Sequence, residues 1–548
     1  MNIKNHFSAL CLVLSSVFFI ASCNFKGDST IYSPIVETNE TNEILEIAKI
    51  EFADTATVFY FDAYHCTDKD CWFRIAEKAE LRGSNRTYNV IGSEGIELGK
   101  KMQVPESGHL SFALYFEPVD KSEKVLDFVE GDKNGEWRIT GIKLYEVPQP
   151  KKAIKCTLKG EVIDRPYSSR LMLSKEGEDM RVVQWISIPI RDGKFEYALN
   201  CDYEELYQLT FYDEYGRSWM PIPFISEQGV INFTLHPQDQ FKMNIIEGGK
   251  LNKEYRDFDI EFTKMIEPLF DAVNAKNEQL YNEGKYYTAE AQLLLDQARA
   301  STDEKEKDVL WQQWYKMQDQ NLHLTPEAKE VQKSSDSVGM VIQQYHLQYA
   351  KEHPNIVGYS ILLSITKRAF RGKGEISQTA DIHQTIFAPK FPDHPYTKKM
   401  EDLLTGSSFK AGAPFIDFTT GDMTGKPVKL SDRIAGKPTV LHLWASWCGP
   451  CRKHGKELIP VYEEFRDKGF VVIGVAREKD TPTAAEAAIK KDGYPWENLV
   501  ELNDAEQIWN KYGVGNAGGA VFLIDEKGII VAVSPTIDEI RDFLSNKL

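Results

Sequence analysis

The 548-residue sequence predicts a multidomain chain: two β-rich N-terminal domains, a helical middle segment and a C-terminal α/β domain. Three observations carry this reading. The length exceeds what one hydrophobic core can organise, since single cores stop growing at about 250–300 residues. The hydrophobic period changes along the chain, from alternation to a three-and-four repeat, and then to strands interleaved with helices. The composition, 42% hydrophobic and 11% aromatic, is that of globular domains. A formal net charge of -17 argues against a nucleic-acid partner, because phosphate contacts need a basic face.

Residues 1–22 read as a secretory signal: a short start carrying Lys4, an apolar run from Phe7 to Ile20, then the small residues Ala21 and Ser22. The run is shorter than the about 20 residues a membrane span requires. Cys23 directly after the small residues makes the segment resemble a bacterial lipoprotein signal. That resemblance implies lipidation of Cys23, which becomes the mature N-terminus, and a cell-envelope chain anchored to a membrane and facing the periplasm. An ordinary signal peptide or a lone membrane helix is the alternative. Residues 23–44, polar and rich in Ser, Thr, Asn and Glu, read as a flexible tether.

Residues 45–150 are expected to be β-rich, because "TATVFYFDAY" and "EWRITGIKLYEV" alternate between Gly-containing turns. A linker, "VPQPKK", precedes a small β-sandwich-like domain over 152–240, built from short runs such as "CTLKGEVI", "RLMLSKEG" and "YQLTFYDEYG". Neither region gathers catalytic residue types, so each is expected to be a scaffold or partner-binding module. Over 250–400 the chain turns helical: Phe258, Phe262, Met265, Ile266, Leu269 and Val273 recur on one helical face. Pro268 is expected to kink that helix or begin a new one. The stripe of Trp311, Trp314 and Tyr315 is assigned to the core rather than to a ligand. "LLTGSSFKAGAPF" marks the boundary of the last domain, 405–548.

Export changes the reading of the cysteines. Cys11 and Cys23 belong to the signal region, and outside the cytoplasm the remaining six can persist as disulfides. Structural pairs Cys66–Cys71 and Cys156–Cys201 are expected, although spacing does not choose among connectivities. A metal site using His65 with Cys66 and Cys71 is the rival for the first pair; no second cluster accompanies it.

The final domain alternates strands with helices, which implies a sheet covered on both faces. Its first buried strand, "TVLHLWAS", runs into "WCGPC" at a strand–helix junction. A cysteine at a helix start meets unpaired backbone N–H groups and the positive end of the dipole. Both stabilise a thiolate and lower a thiol pKa that is about 8.5 when unperturbed. Cys448 is therefore the expected nucleophile, and Cys451, one turn on, the thiol that resolves the mixed disulfide. Gly449 and Pro450 suit the tight turn and the first helical turn, where proline's missing N–H is harmless.

"WASWCGPC" resembles the thioredoxin active site, with Trp447 to Cys451 matching in full. The stretch 405–548, with "FVVIGVARE" and "YGVGNAGGAVFLIDEKGIIVAV", resembles the TlpA/ResA branch of thiol-disulfide oxidoreductases. The segment 155–235 is also similar to a small domain found upstream in such lipoproteins. The resemblance implies a thioredoxin-like fold, substrates among disulfide-bearing exported proteins, and an integral-membrane thiol relay as electron donor. It implies no cofactor. The Gly-Pro pair resembles that of reducing thioredoxins and points to a reductase.

The sequence departs from the family at three places. The cis-proline position is taken by Gly519, so a trans or rearranged loop is expected, with Gly518, Gly519 and Ala520 as the substrate-binding loop. His442 stands where thioredoxins bury a proton-relaying acid; it is either a base for Cys451 or a core histidine with a satisfied hydrogen bond. Lys456 replaces the usual helix proline, and His454 and Glu457 are expected to be solvated. Zinc would need two further ligands, which do not accompany this CxxC. A peroxidase pattern would need a threonine at Ala445. An inert structural disulfide fits poorly between an aromatic and Gly-Pro. The expected activity is extracytoplasmic thiol-disulfide exchange; the alternative is a lipid-anchored partner-binding scaffold with a catalytically impaired head.

Overall fold

In the computed structural model, residues 30–32, 34, 36, 38–41, 44–64, 72–84, 86–105, 109–130, 137–144, 153–214, 220–369, 376–407, 410–516 and 518–548 are described. Cys23, Cys66 and Cys71, with their expected lipidation and pairing, lie outside them. The chain forms two compact units, Met1–Pro105 with His109–Val147, and Glu106–Gly108 with Pro148–Leu548.

The first unit is a nine-stranded sheet with Thr57–Tyr64 and His109–Phe116 paired antiparallel near its middle. Phe59, Phe61, Phe112, Phe116 and Phe128 supply its aromatic core. Alternation in "TVFYFDAY" gives way to burial on both faces, with Tyr60 alone partly open.

The second unit opens with two four-stranded sheets. Ile154–Val162 sits between the antiparallel strand Lys194–Cys201 and the parallel strand Gly229–Leu235. Arg170–Lys175 lies between Ile186–Pro189 and Leu206–Phe211 in the other sheet. Leu158, Leu173, Leu209, Phe224 and Ile231, each at most 1% exposed, join the two sheets in one core.

The expected Cys156–Cys201 disulfide is absent; both thiols are free and buried. The register explains it. Cys201 sits opposite Ile154 and Cys156 opposite Leu199, so the two cysteines are diagonal neighbours. Diagonal Cα atoms lie about 7–8 Å apart, beyond the roughly 4.4–6.8 Å a disulfide spans. Burial pushes the Cys156 thiol up to about 11 and raises Cys201 as well, which keeps both in the unreactive thiol form.

Helices follow, from Lys250–Asn282 to Pro395–Ser407. The first runs for 33 residues without a break at Pro268, contrary to the expectation of a new helix there. Pro268, which cannot donate to the Lys264 carbonyl, and Lys264 itself both lie on the exposed face, where losing that bond costs least. Of the aromatic stripe, Trp314 is buried against Tyr287 and His323, while Tyr315 is exposed.

The C-terminal domain is a seven-stranded sheet ordered Pro427–Lys429, Thr419–Asp422, Glu497–Leu502, Val471–Glu478, Thr439–Trp444, Ala520–Ile524, Ile530–Val533. Glu497–Leu502, Val471–Glu478 and Thr439–Trp444 are parallel, whereas Ala520–Ile524 returns antiparallel and continues into a hairpin. Every residue of Thr439–Trp444 is buried, the polar Thr439 and His442 included, as a central strand between two helix-covered faces requires. The helix Gly449–Phe465 carries Pro450 in its first turn and, further on, the exposed Pro460. Ile537–Lys547 starts with a capping box between Thr536 and Glu539.

The register makes a chemical prediction. Alkylation of the unfolded, unreduced protein is expected to label Cys156 and Cys201 fully; protection of either, read by peptide mass spectrometry, would restore the disulfide.

Candidate active site

Local structure at the dithiol follows from the strand that ends at Trp444. The chain turns through Ala445 to Trp447 and enters a helix at Cys448. The Cys448 N–H donates to the Ala445 carbonyl at 3.0 Å. Ser446 fixes the turn from the side: its N–H and hydroxyl donate to the Glu478 carboxylate at 2.7 and 2.8 Å. Arg452 donates to the Ser446 carbonyl at 3.2 Å and makes a forked contact with Asp492 at 2.6 and 2.9 Å. Burial raises the Glu478 pKa despite the two Ser446 bonds.

Cys448 is the N-cap of Gly449–Phe465, and its Sγ accepts from the Cys451 N–H at 3.3 Å. Cys448 and Cys451 are joined as a disulfide, their Cα atoms 5.3 Å apart. They are 5% and 8% exposed, while Gly449 and Pro450 between them are open to solvent. A helix N-terminus aimed at one sulfur is the arrangement that stabilises a thiolate. Ala445, fully buried, brings no hydroxyl to Cys448, which leaves the peroxidase pattern without its threonine.

The loop before Ala520–Ile524 closes over the second sulfur. The Gly519 N–H donates to Cys451 Sγ at 3.1 Å, a bond that a proline here could not make. No cis peptide bond occurs among the described residues. A Cβ on Gly519 would stand 1.9 Å from the Leu443 carbonyl oxygen and 3.0 Å from Cys451 Sγ. Glycine is therefore dictated by close approach. Gly518 has open space around it, and Ala520 pairs with Leu443 in the sheet.

His442 points into the interior beneath this site. It is 1% exposed, and its ring lies 6.1 Å from His454, 6.3 Å from Trp444 and 6.4 Å from Tyr494, centroid to centroid. Burial pushes its imidazole down to about 3, with His454 adding to the shift and the Cys451 backbone opposing it. An imidazole so depressed takes up no proton near neutrality, which weighs against the role of base for Cys451. The Cys451 backbone is the polar group that reaches its ring, which leaves the reading of a core histidine held by a hydrogen bond standing. Both ring nitrogens of His454, a residue expected to be solvated, are buried; Glu457 is exposed.

Three features escape a linear reading. Glu478 and Asp492 arrive from other elements. Trp447 packs 6.2 Å from Trp509 and lies under the Arg181 guanidinium, 3.9 Å from the ring centroid. Arg181 belongs to the upstream sandwich, and no local signal in its sequence marks it. Among the described residues no group of three or more metal-ligating side chains occurs.

Residues 411–533 match the AhpC/TSA family, and residues 156–255 match a domain of unknown function, DUF4369. The chain is 30% identical over 115 residues to the thiol-disulfide oxidoreductase ResA of Bacillus anthracis, covering 21% of this chain and 64% of that protein. It is 28% identical over 141 residues to ResA of Bacillus subtilis (strain 168), covering 25% of this chain and 76% of that protein. A solved thioredoxin domain of a thiol-disulfide oxidoreductase from Bacteroides vulgatus is 26% identical and covers 25% of this chain and 96% of its own, with a TM-score of 0.23. A thiol:disulfide interchange protein from Bacteroides sp. is 26% identical, covering 25% and 90% with a TM-score of 0.24. The C-terminal domain is a thioredoxin-fold domain with thiol-disulfide oxidoreductase relatives.

Two outcomes are expected. Gly519→Ala sets a Cβ against backbone that cannot move aside, lowering stability by about 1–3 kcal/mol in denaturant unfolding and, by shifting the N–H donor, raising the alkylation pKa of Cys451. His442, ordinarily titrating at 6.5 and held at about 3 in the fold, leaves the unfolded state binding the extra proton between those values. Stability therefore rises with pH across that window and is lost on acidification. In His442→Leu this part of the pH–stability curve is expected to flatten.

Proposed function

We propose that this chain is an extracytoplasmic thiol-disulfide oxidoreductase that reduces disulfides of exported proteins through Cys448 and Cys451. The single observation that supports it best is the placement of Cys448 Sγ at a helix N-terminus, with Cys451 in disulfide contact behind it. In the reduced enzyme the Cys448 thiolate attacks one sulfur of a substrate disulfide and expels the other as a thiolate. Cys451, deprotonated, then attacks Cys448 Sγ, releasing the second substrate thiolate and leaving the enzyme disulfide. Two electrons pass to the substrate, and its two thiolates take up two protons from solvent. An integral-membrane thiol relay is the proposed donor that restores the dithiol, and lipidation at Cys23 the proposed anchor that keeps the head facing the periplasm.

No metal or cofactor enters these steps. The Gly519 N–H on Cys451 Sγ supports a working head over an impaired one, because a hydrogen bond to sulfur favours the thiolate that must resolve the intermediate.

The test is insulin reduction by the full chain with a thiol donor. Cys448→Ser is expected to fall to the uncatalysed background, and Cys451→Ser to accumulate mixed disulfides on Cys448 that non-reducing gels display. Equal rates for wild type and Cys448→Ser would leave the scaffold reading.

A further inference from the structure

Two groups flank the dithiol. One is Trp447, next to the nucleophile; the other is the backbone at Gly518 and Gly519, whose Gly519 N–H reaches Cys451 Sγ, with Asn516 close by in sequence. Arg181, carried by the sandwich between its strands Arg170–Lys175 and Ile186–Pro189, spans them. Its guanidinium lies 3.9 Å above the Trp447 ring and donates to the Asn516 carbonyl at 2.5 Å. Asp179 grips the same guanidinium at 2.9 and 2.7 Å.

Asp179 is in turn seated on the head. It accepts from Arg477 at 3.4 Å; Arg477 is 3% exposed, is paired with Asp504 and lies 4.7 Å from the Trp509 ring centroid. Burial alone would push the Asp179 carboxyl up, but Arg181 and Arg477 outweigh it and hold it below the usual carboxylate range. Gln184 donates to Asp480 at 2.9 Å alongside. The Asp179–Arg477 pair is buried and holds the segment in place, whereas the Arg181 side chain is 42% exposed, so its contact over Trp447 is the one that parts readily.

We propose that Arg181 is a specificity-determining residue: it bars the approach to the dithiol beside Trp447 against bulky protein disulfides while leaving small disulfides access, and opens when its side chain swings off the Trp447 ring. This rests on the oxidoreductase reading. It gives the sandwich, a match to a domain of unknown function, a task in the head's chemistry.

The experiment compares kcat/KM for insulin with that for a small aromatic disulfide, using the full chain and Arg181→Ala. Losing one cation–π contact and its accompanying hydrogen bonds is expected to raise the insulin-to-small-disulfide ratio about tenfold. Arg181→Lys, which keeps the charge but loses the fork that holds Asp179 and Asn516 together, is expected to fall between. An unchanged ratio overturns the gate, and a reduced one shows the segment to be a docking surface instead. If the wild-type chain shows no Cys448-dependent turnover of the small disulfide, the oxidoreductase reading itself fails and the gate goes with it.

Discussion

Everything around the dithiol depends on one close approach, that of the Gly519 backbone to the carbonyl of Leu443. Only a residue without a Cβ can stand there. The approach places a backbone N–H on Cys451 Sγ and fixes the start of the strand Ala520–Ile524 against Thr439–Trp444. The helix N-terminus acts on Cys448 from one side and the loop acts on Cys451 from the other. Each sulfur thus receives one backbone N–H, and neither requires a charged side chain.

Beneath that surface lies a packed interior that still holds ionisable side chains. His442 and His454 bring four ring nitrogens to the interior. The low dielectric that strips His442 of its proton also strengthens the backbone–sulfur bonds above it. Carboxylates are set to one side: Glu478 holds the Ser446 turn, and Glu501, pushed up to about 7 by burial and by Asp504, accepts from the N–H groups of Glu506 and Ile508. Their work is to hold loops, which leaves the chemistry to the sulfurs.

The upstream sandwich changes how the head meets a substrate. Arg477 is buried in the head, yet one of its two carboxylate partners, Asp179, comes from the sandwich. A buried guanidinium is satisfied most fully when the segment is docked, so the electrostatics that seat Asp179 also set Arg181 over Trp447.

The amino-acid sequence by itself determined what short-range chemistry and periodicity carry: the strand "TVLHLW", the Gly-Pro turn and the helix start that Cys448 caps, and the change from β to helix near residue 250. Tertiary structure decided whatever depends on register or on residues far apart in the chain. A two-residue offset between neighbouring strands left Cys156 and Cys201 free, although both lie in the strands their sequence implies. Burial, which no local pattern states, holds the His442 imidazole well below its ordinary range and places the His454 ring nitrogens inside. The meeting of Arg181 with Trp447 spans hundreds of residues of chain; only the folded contact, with Asp179 seated on Arg477, brings a cation from a β domain to the dithiol.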